Sequence, residues 1–171
     1  MTAPAGFVIE PATLADAPAI AAILNHAIEH TTANWNDQPQ SDARMTLWLQ
    51  EKAAGEWPVL VARDAKRGPA LGYATCGPFR TFPGYRFTVE DSVYVAPDAQ
   101  RRGVGRALLG ALIETARAAG LHAMVAGSDA ENASSIALHS ALGFTEVARM
   151  PEVGRKFDRW LTLVLMQRAL D

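Results

Sequence analysis

Residues 93–106 read Val-Tyr-Val-Ala-Pro-Asp-Ala-Gln-Arg-Arg-Gly-Val-Gly-Arg, and this run constrains the chain more than any other. The β-branched and aromatic residues Val89, Val93, Tyr94 and Val95 predict a strand that stops at Pro97-Asp98. A basic glycine turn follows, Gln100-Arg101-Arg102-Gly103-Val104-Gly105. Leu108, Leu109, Leu112, Ile113 and Ala116 then fall on one face of a helix. Strand, glycine turn and helix together suit a phosphate. The first amides of a helix have no intrahelical partner and sit at the positive end of its dipole. Gly103 and Gly105 let backbone approach a bulky anion, and Arg101, Arg102 and Arg106 add charge at the same end. Two common nucleotide loops are disfavoured. Walker A needs Gly-Lys-Ser/Thr, which is missing here, and the dinucleotide fingerprint needs a third glycine where Leu108 stands.

The 171 residues suit one domain, residues 1–171, with a single core. A net charge of −2 gives no general basic field for nucleic acid or a membrane surface. The single cysteine, Cys76, permits no intramolecular disulfide and fits a reducing, cytoplasmic setting. The first residues lack the pattern of a signal peptide, and no apolar run approaches the ~18 residues of a membrane span.

Phe7-Val8-Ile9 predicts a short strand, and Thr13 an N-cap for a helix to about His30. Residues 31–39 read as a polar loop containing Trp35 and Asn36. Ser41 caps a second helix that stops near Gly55 and Pro58. Val59–Ala62 and Leu71–Cys76 read as strands around a turn at Lys66-Arg67-Gly68-Pro69. Residues 77–86 read as a loop, Leu121–Ala126 as a strand, and Asn132 to Gly143 as a short helix. Phe144–Ala148 and Leu161–Met166 make a final pair around an irregular 150–160. This order predicts an α/β fold, a mixed sheet with helices on both faces.

The Gln100–Gly105 loop resembles the acetyl-CoA pyrophosphate loop of the GNAT acetyltransferase superfamily. Asn132-x-x-Ser135-x-x-Leu138-His139-x-x-Leu142-Gly143-Phe144 resembles that family's second half. Residues 31–36, 87–95 and 150–157 are similar to its phosphinothricin and methionine sulfoximine acetyltransferase branch. The resemblance covers nearly the whole chain. It implies a GNAT fold with a mostly antiparallel central sheet, acetyl-CoA as co-substrate, no metal, and a homodimer. It also implies cofactor contacts at Val93, Tyr94, Val95, Gln100, Arg101, Arg102, Gly103, Val104, Gly105, Arg106, Asn132 and Ser135. A plain N-cap explains Asn132 equally well.

Acetyl transfer to an amine needs a held thioester, a deprotonated amine, a stabilised oxyanion and a departing thiolate. In an extended strand Thr88, Glu90, Ser92 and Tyr94 share one face, and Val89, Val93 and Val95 the other. Asp91 then falls among the valines, an odd place for a carboxylate. Glu90 is the candidate base, in the stretch where the resembling branch places its catalytic carboxylate, with Asp91 the lesser alternative. His139 replaces the tyrosine that protonates the thiolate in many GNAT enzymes, so it is a candidate to donate a proton or to polarise Glu90 or the substrate. Tyr94 is an alternative acid.

For the acceptor, Arg80 and Arg86 are candidates to grip a carboxylate. Trp35, Phe79, Phe82 and Tyr85 are candidate walls, and Lys156 a candidate from the last loop or a neighbouring subunit. His26-x-x-Glu29-His30 also matches an inverted zincin pattern, but no third ligand is evident. The reading is direct transfer from acetyl-CoA to the α-amine of a small amino-acid analogue: phosphinothricin, methionine sulfoximine or methionine sulfone. The alternatives are another amine, such as a protein N-terminus or lysine, and an acyl-CoA-binding regulator without turnover.

Overall fold

The computed structural model describes residues 6–64 and 68–170. Seven strands form one sheet in the order β1-β2-β3-β4-β5-β7-β6. They are β1 (Phe7–Pro11), β2 (Val59–Asp64), β3 (Ala70–Pro78), β4 (Thr88–Val95), β5 (Ala123–Asp129), β6 (Thr145–Lys156) and β7 (Arg159–Ala169). Every neighbouring pair is antiparallel except β4 with β5. Helices α1 (Ala17–His30) and α2 (Asp42–Ala54) precede β2; α3 (Val104–Ala118) follows β4 and α4 (Ala133–Ala141) follows β5.

The period-two alternation of the strands supplies two cores, one per sheet face. Leu60, Ala62, Ala74, Cys76, Val89 and Met124 pack under Leu108, Leu109 and Leu112 of α3. Val59, Val61 and Tyr73 pack under Ile20 and Ile23 of α1 and Met45 and Leu49 of α2. The apolar stripe predicted for residues 108–116 is the buried face of α3.

Several boundaries differ from the expectation. The first helix opens with a 3₁₀ turn at Leu14–Asp16, because the Asp16 carboxylate accepts from the Thr13 amide (2.7 Å) and is then held by Arg63 (2.7 Å). The predicted turn at residues 66 and 67 lies outside the described residues. The irregular 150–160 stretch is a correction: β6 and β7 are one long hairpin that runs through it. Register shifts between Met150 and Gly154 broke the alternation that would have revealed strand in the sequence. Outside the bulges most of β6 is exposed, so its pattern carries no apolar face.

Candidate active site

β4 and β5 pair over only three positions, Thr88–Ala123, Val89–Met124 and Glu90–Val125. Beyond Glu90 the strands part. A cleft of about 470 Å³ opens between them. Asp91 to Val95 line one wall and Ala126 to Ser128 the other. The α3 loop and α4 close one face, and Ile23, His26 and Ala27 of α1 with Thr31 and Ala33 close the other.

The mouth of this cleft is the glycine turn. Gly103 caps α3 in the left-handed region at φ 81°, and Arg101 also adopts positive φ, 61°. The first intrahelical bond runs from the Ala107 amide to the Gly103 carbonyl (3.0 Å). The amides of Val104, Gly105 and Arg106 therefore lie ahead of the helical ladder, as an anion requires. Gln100, Arg101, Gly103, Val104, Gly105 and Arg106 all line the cleft. Arg102 is exposed and stands off the lining. Asn132 is an N-cap: its Oδ1 accepts from the Ser135 amide (3.1 Å) and the Ser134 hydroxyl (2.9 Å). It lines the cleft as well, as do Ser135, Val93, Tyr94 and Val95.

Asp91, misplaced among valines in the sequence, has a partner. His139 Nε2 lies 3.1 Å from Asp91 Oδ2, with both residues buried on the α4 side of β4. His139 Nδ1 meets the Ser135 carbonyl at 2.8 Å. A carbonyl only accepts, so Nδ1 carries a proton. Burial alone would depress the imidazole pKa, but the hydrogen bond and charge of Asp91, with the Ser135 carbonyl, outweigh it and leave it raised above 6.5. Phe144 packs edge-on against the ring. The expectation that His139 polarises Glu90 is corrected here. The strand's alternation sends Glu90 to the opposite face, and His139 bonds Asp91 instead.

Glu90 stands at the vertex, opposite Val125 on one side and Gly77 on the other. Its pKa is raised from 4.5, first by loss of solvent and then by the Asp91 charge, with Arg80 opposing. A Cβ on Gly127 would lie 3.2 Å from Glu90 Oε1, so that glycine makes room for the carboxylate. Sequence reasoning missed Gly127, since a glycine in a strand carries no signal of what faces it.

The loop after α1 is tied down at its length. Lys156 Nζ donates to the Thr31 carbonyl (2.8 Å) and to the Asn34 carbonyl. Thr32 donates to Asp129, and Asn34 Nδ2 donates to the Tyr94 hydroxyl (3.0 Å). Trp35 lies against Gly154, where any Cβ would overlap its ring. Lys156 is thus buried and satisfied within its own chain. Trp35 seats on the β6–β7 hairpin; Phe79 pairs edge-on with Tyr85 (5.9 Å). Arg80 stacks on Phe79 (4.7 Å), while Arg86 stacks on Phe87 (4.5 Å) and donates to the Pro83 carbonyl (3.2 Å). Phe82 is 73% exposed. Tyr94 extends to the α1 face, where burial raises its pKa. It and Ser92 also border a second cavity, of about 280 Å³, between α1, α2 and the 34–40 loop. His26 and His30 stack at the end of α1 (4.8 Å). Among the described residues no group of three or more His, Cys, Asp or Glu is placed to hold a metal.

A mixed sheet that splits beside a parallel pair, with free helix amides at the mouth of the split, defines a protein that holds a long phosphate-bearing ligand in the manner of an extra strand. The acetyltransferase (GNAT) family matches residues 20–144, and the chain belongs to that family. It is 51% identical over 163 residues to an L-methionine sulfoximine/L-methionine sulfone acetyltransferase of Pseudomonas paraeruginosa, covering 95% of this chain and 94% of that protein. It is 41% identical to a phosphinothricin N-acetyltransferase of Alcaligenes faecalis, over 91% of this chain and 79% of the other. The structure of yncA, an acetyltransferase from Salmonella typhimurium with acetyl-CoA, superposes with a TM-score of 0.93 at 48% identity, covering 96% and 94% of the two chains.

Proposed function

We propose that this protein transfers the acetyl group of acetyl-CoA to the α-amine of a small amino-acid analogue of the methionine sulfoximine, methionine sulfone or phosphinothricin type. The observation that carries the reading is the β4–β5 cleft, with free α3 amides at its mouth and Glu90 on the last β4–β5 rung, where the strands part. The names of the relatives at 51% and 41% identity supply the acceptor class.

The residues present fit acetyl-CoA. The turn from Gln100 to Arg106 suits the pyrophosphate, with Arg102 contributing only long-range charge. The unpaired edge of β4 at Val93 and Val95 suits the pantetheine amides, main chain to main chain. Asn132 holds the start of α4 in place beside it, and Ser135 orients His139. Glu90 takes a proton from the incoming ammonium, and its raised pKa brings it closer to a working base. Arg80 and Arg86 flank the approach to Glu90 and suit the acceptor's carboxylate; Phe79 and Tyr85 wall its side chain. Trp35 and Lys156 act at one remove, by fixing the loop that borders the cleft. Transfer is direct in a ternary complex. Cys76 is buried with its thiol pushed up to about 11, which suits no acyl-cysteine.

A cytoplasmic homodimer completes the reading. Its support is the unpaired Cys76 thiol and the exposed apolar residues Val147, Met150 and Val153 along edge strand β6. Among the described residues no helix is long and apolar enough to cross a membrane. Sedimentation at working concentration tests the dimer.

The decisive experiment is free-thiol release from acetyl-CoA with methionine sulfoximine, methionine sulfone, phosphinothricin, ordinary amino acids and a short peptide. Release with the analogues and silence with the peptide is expected. Release with the peptide alone moves the reading to a protein acceptor. Silence throughout, with acetyl-CoA still bound, moves it to a binding regulator.

A further inference from the structure

In the Asp91–His139 pair, both ring nitrogens of the histidine are committed, Nδ1 to the Ser135 carbonyl and Nε2 to Asp91 Oδ2. His139 therefore has no free N–H for a departing thiolate. The atom left over is Asp91 Oδ1, which is buried and has no hydrogen-bond partner among the described residues. Asp91 is also the first residue of β4 past the last β4–β5 rung, and it lines the cleft. A buried carboxylate oxygen with no protein partner, on a residue that lines the cleft, is available to a group bound there.

We propose that Asp91 is a further catalytic residue that carries a proton from the attacking amine to the leaving sulfur, with His139 as its positioning residue. The step rests on the acetyl-transfer reading. Glu90 first removes one proton from the ammonium and gives it up to solvent before the next turnover. As the amine nitrogen bonds to the thioester carbon, its remaining excess proton passes to Asp91 Oδ1. The carbon–sulfur bond then breaks with its electron pair on sulfur, and the Asp91 proton moves to that sulfur. Asp91 returns to the carboxylate, and its count of protons is unchanged over the cycle.

His139 holds Asp91 through Oδ2 and leaves Oδ1 unbonded, and Ser128, bonded to the Ser135 hydroxyl (2.8 Å), steadies the same wall. The other titratable groups around Asp91 are Glu90 and Tyr94 on β4 and Cys76 on β3, with Lys52 of α2 beyond Cys76.

The test compares two donors of the same shape, acetyl-CoA and the acetyl selenoester of selenium-substituted CoA. A selenolate leaves without needing a proton. Asp91→Asn should lower kcat with acetyl-CoA by about 10² or more, the usual worth of positioned acid–base catalysis, and lower the selenoester rate distinctly less, because the selenoester still loses the acceptor of the amine proton but needs no proton on its leaving atom. Equal losses with both donors, or no loss, overturn the proposal. If Asp91→Asn does not fold or bind acetyl-CoA, His139→Gln should show the same donor selectivity, and its absence there overturns it. A second reading needs no turnover. In ligand-free protein the ring ¹⁵N shifts of His139 should titrate above 6.5 in wild type and below it in Asp91→Asn; an unchanged titration overturns the pairing. Wild type inactive with every amine would instead defeat the acetyl-transfer reading itself.

Discussion

The Glu90 carboxylate stands close over Gly127: a Cβ there would lie 3.2 Å from Oε1, tight enough that the carboxylate would have to shift. The two residues sit on parallel strands just where pairing ends, so the glycine sets where the carboxylate rests at the point where the strands part. Gly127→Ala should push Glu90 aside by a few tenths of an ångström. Leu163 and Leu165 would meet the added methyl at ordinary contact distance (3.5 and 3.8 Å), so the carboxylate is the group that must give. Displacements at reacting groups are costly, so kcat should fall by roughly tenfold to a hundredfold. Steady-state rates beside the calorimetric acetyl-CoA affinity check this; the affinity should hold.

Glu90→Gln should lower kcat by about 10² to 10⁴ at neutral pH, with acetyl-CoA binding kept. The sign of the pH effect follows from the raised pKa. Glu90 works as a base only when ionised, so in wild type the acid limb of the kcat profile should lie above 4.5. Arg80 pulls that pKa down, so Arg80→Ala should move the limb to still higher pH. A limb that stays in place in Arg80→Ala would separate that guanidinium from Glu90.

Cys76 should resist iodoacetamide at pH 8 in the folded protein and react on unfolding. Its thiol is 1% exposed and pushed up to about 11 by burial, so almost no thiolate forms. Cys76→Ala should keep thiol release within a fewfold of wild type. A loss of several orders would point to an acyl-cysteine route.

Lys156→Met should free the Thr31 and Asn34 carbonyls and loosen the loop they belong to. Two part-buried acceptors lose a charged donor, a change worth about 1–3 kcal/mol in all. Urea unfolding should show the destabilisation. The acceptor KM should rise more than the acetyl-CoA Kd, since the loop borders the cleft near Tyr94. Equal changes in both constants would make Lys156 a general structural prop.

The strand, turn and helix around Gly103 were legible because their signals are local: β-branched residues, two glycines and a periodic leucine stripe. The face of β4 that Glu90 takes was legible through alternation along one strand, whereas its candidacy as base came from the family resemblance. Asp91 was visible only as an anomaly, because its partner lies 48 positions away on a different helix. The commitment of both His139 nitrogens needed coordinates, as did the binding of Lys156 to its own chain. The β6–β7 hairpin was misjudged because register shifts and two exposed faces erase the period of two. Gly127 carried no signal at all, since what matters there is a neighbour on another strand.

The three rungs between β4 and β5 have a mechanical meaning. They divide the sheet into two leaves, β1–β4 and β5–β7, joined at a narrow seam and by the helices packed on its faces. A ligand lying along both parted edges becomes a splint across that seam. Hydrogen exchange in the two leaves should therefore be loosely coupled in the free protein and strongly coupled at saturating acetyl-CoA. The substrate that the cleft receives should then brace a seam that the unliganded sheet holds by three rungs and by the core packed under α3.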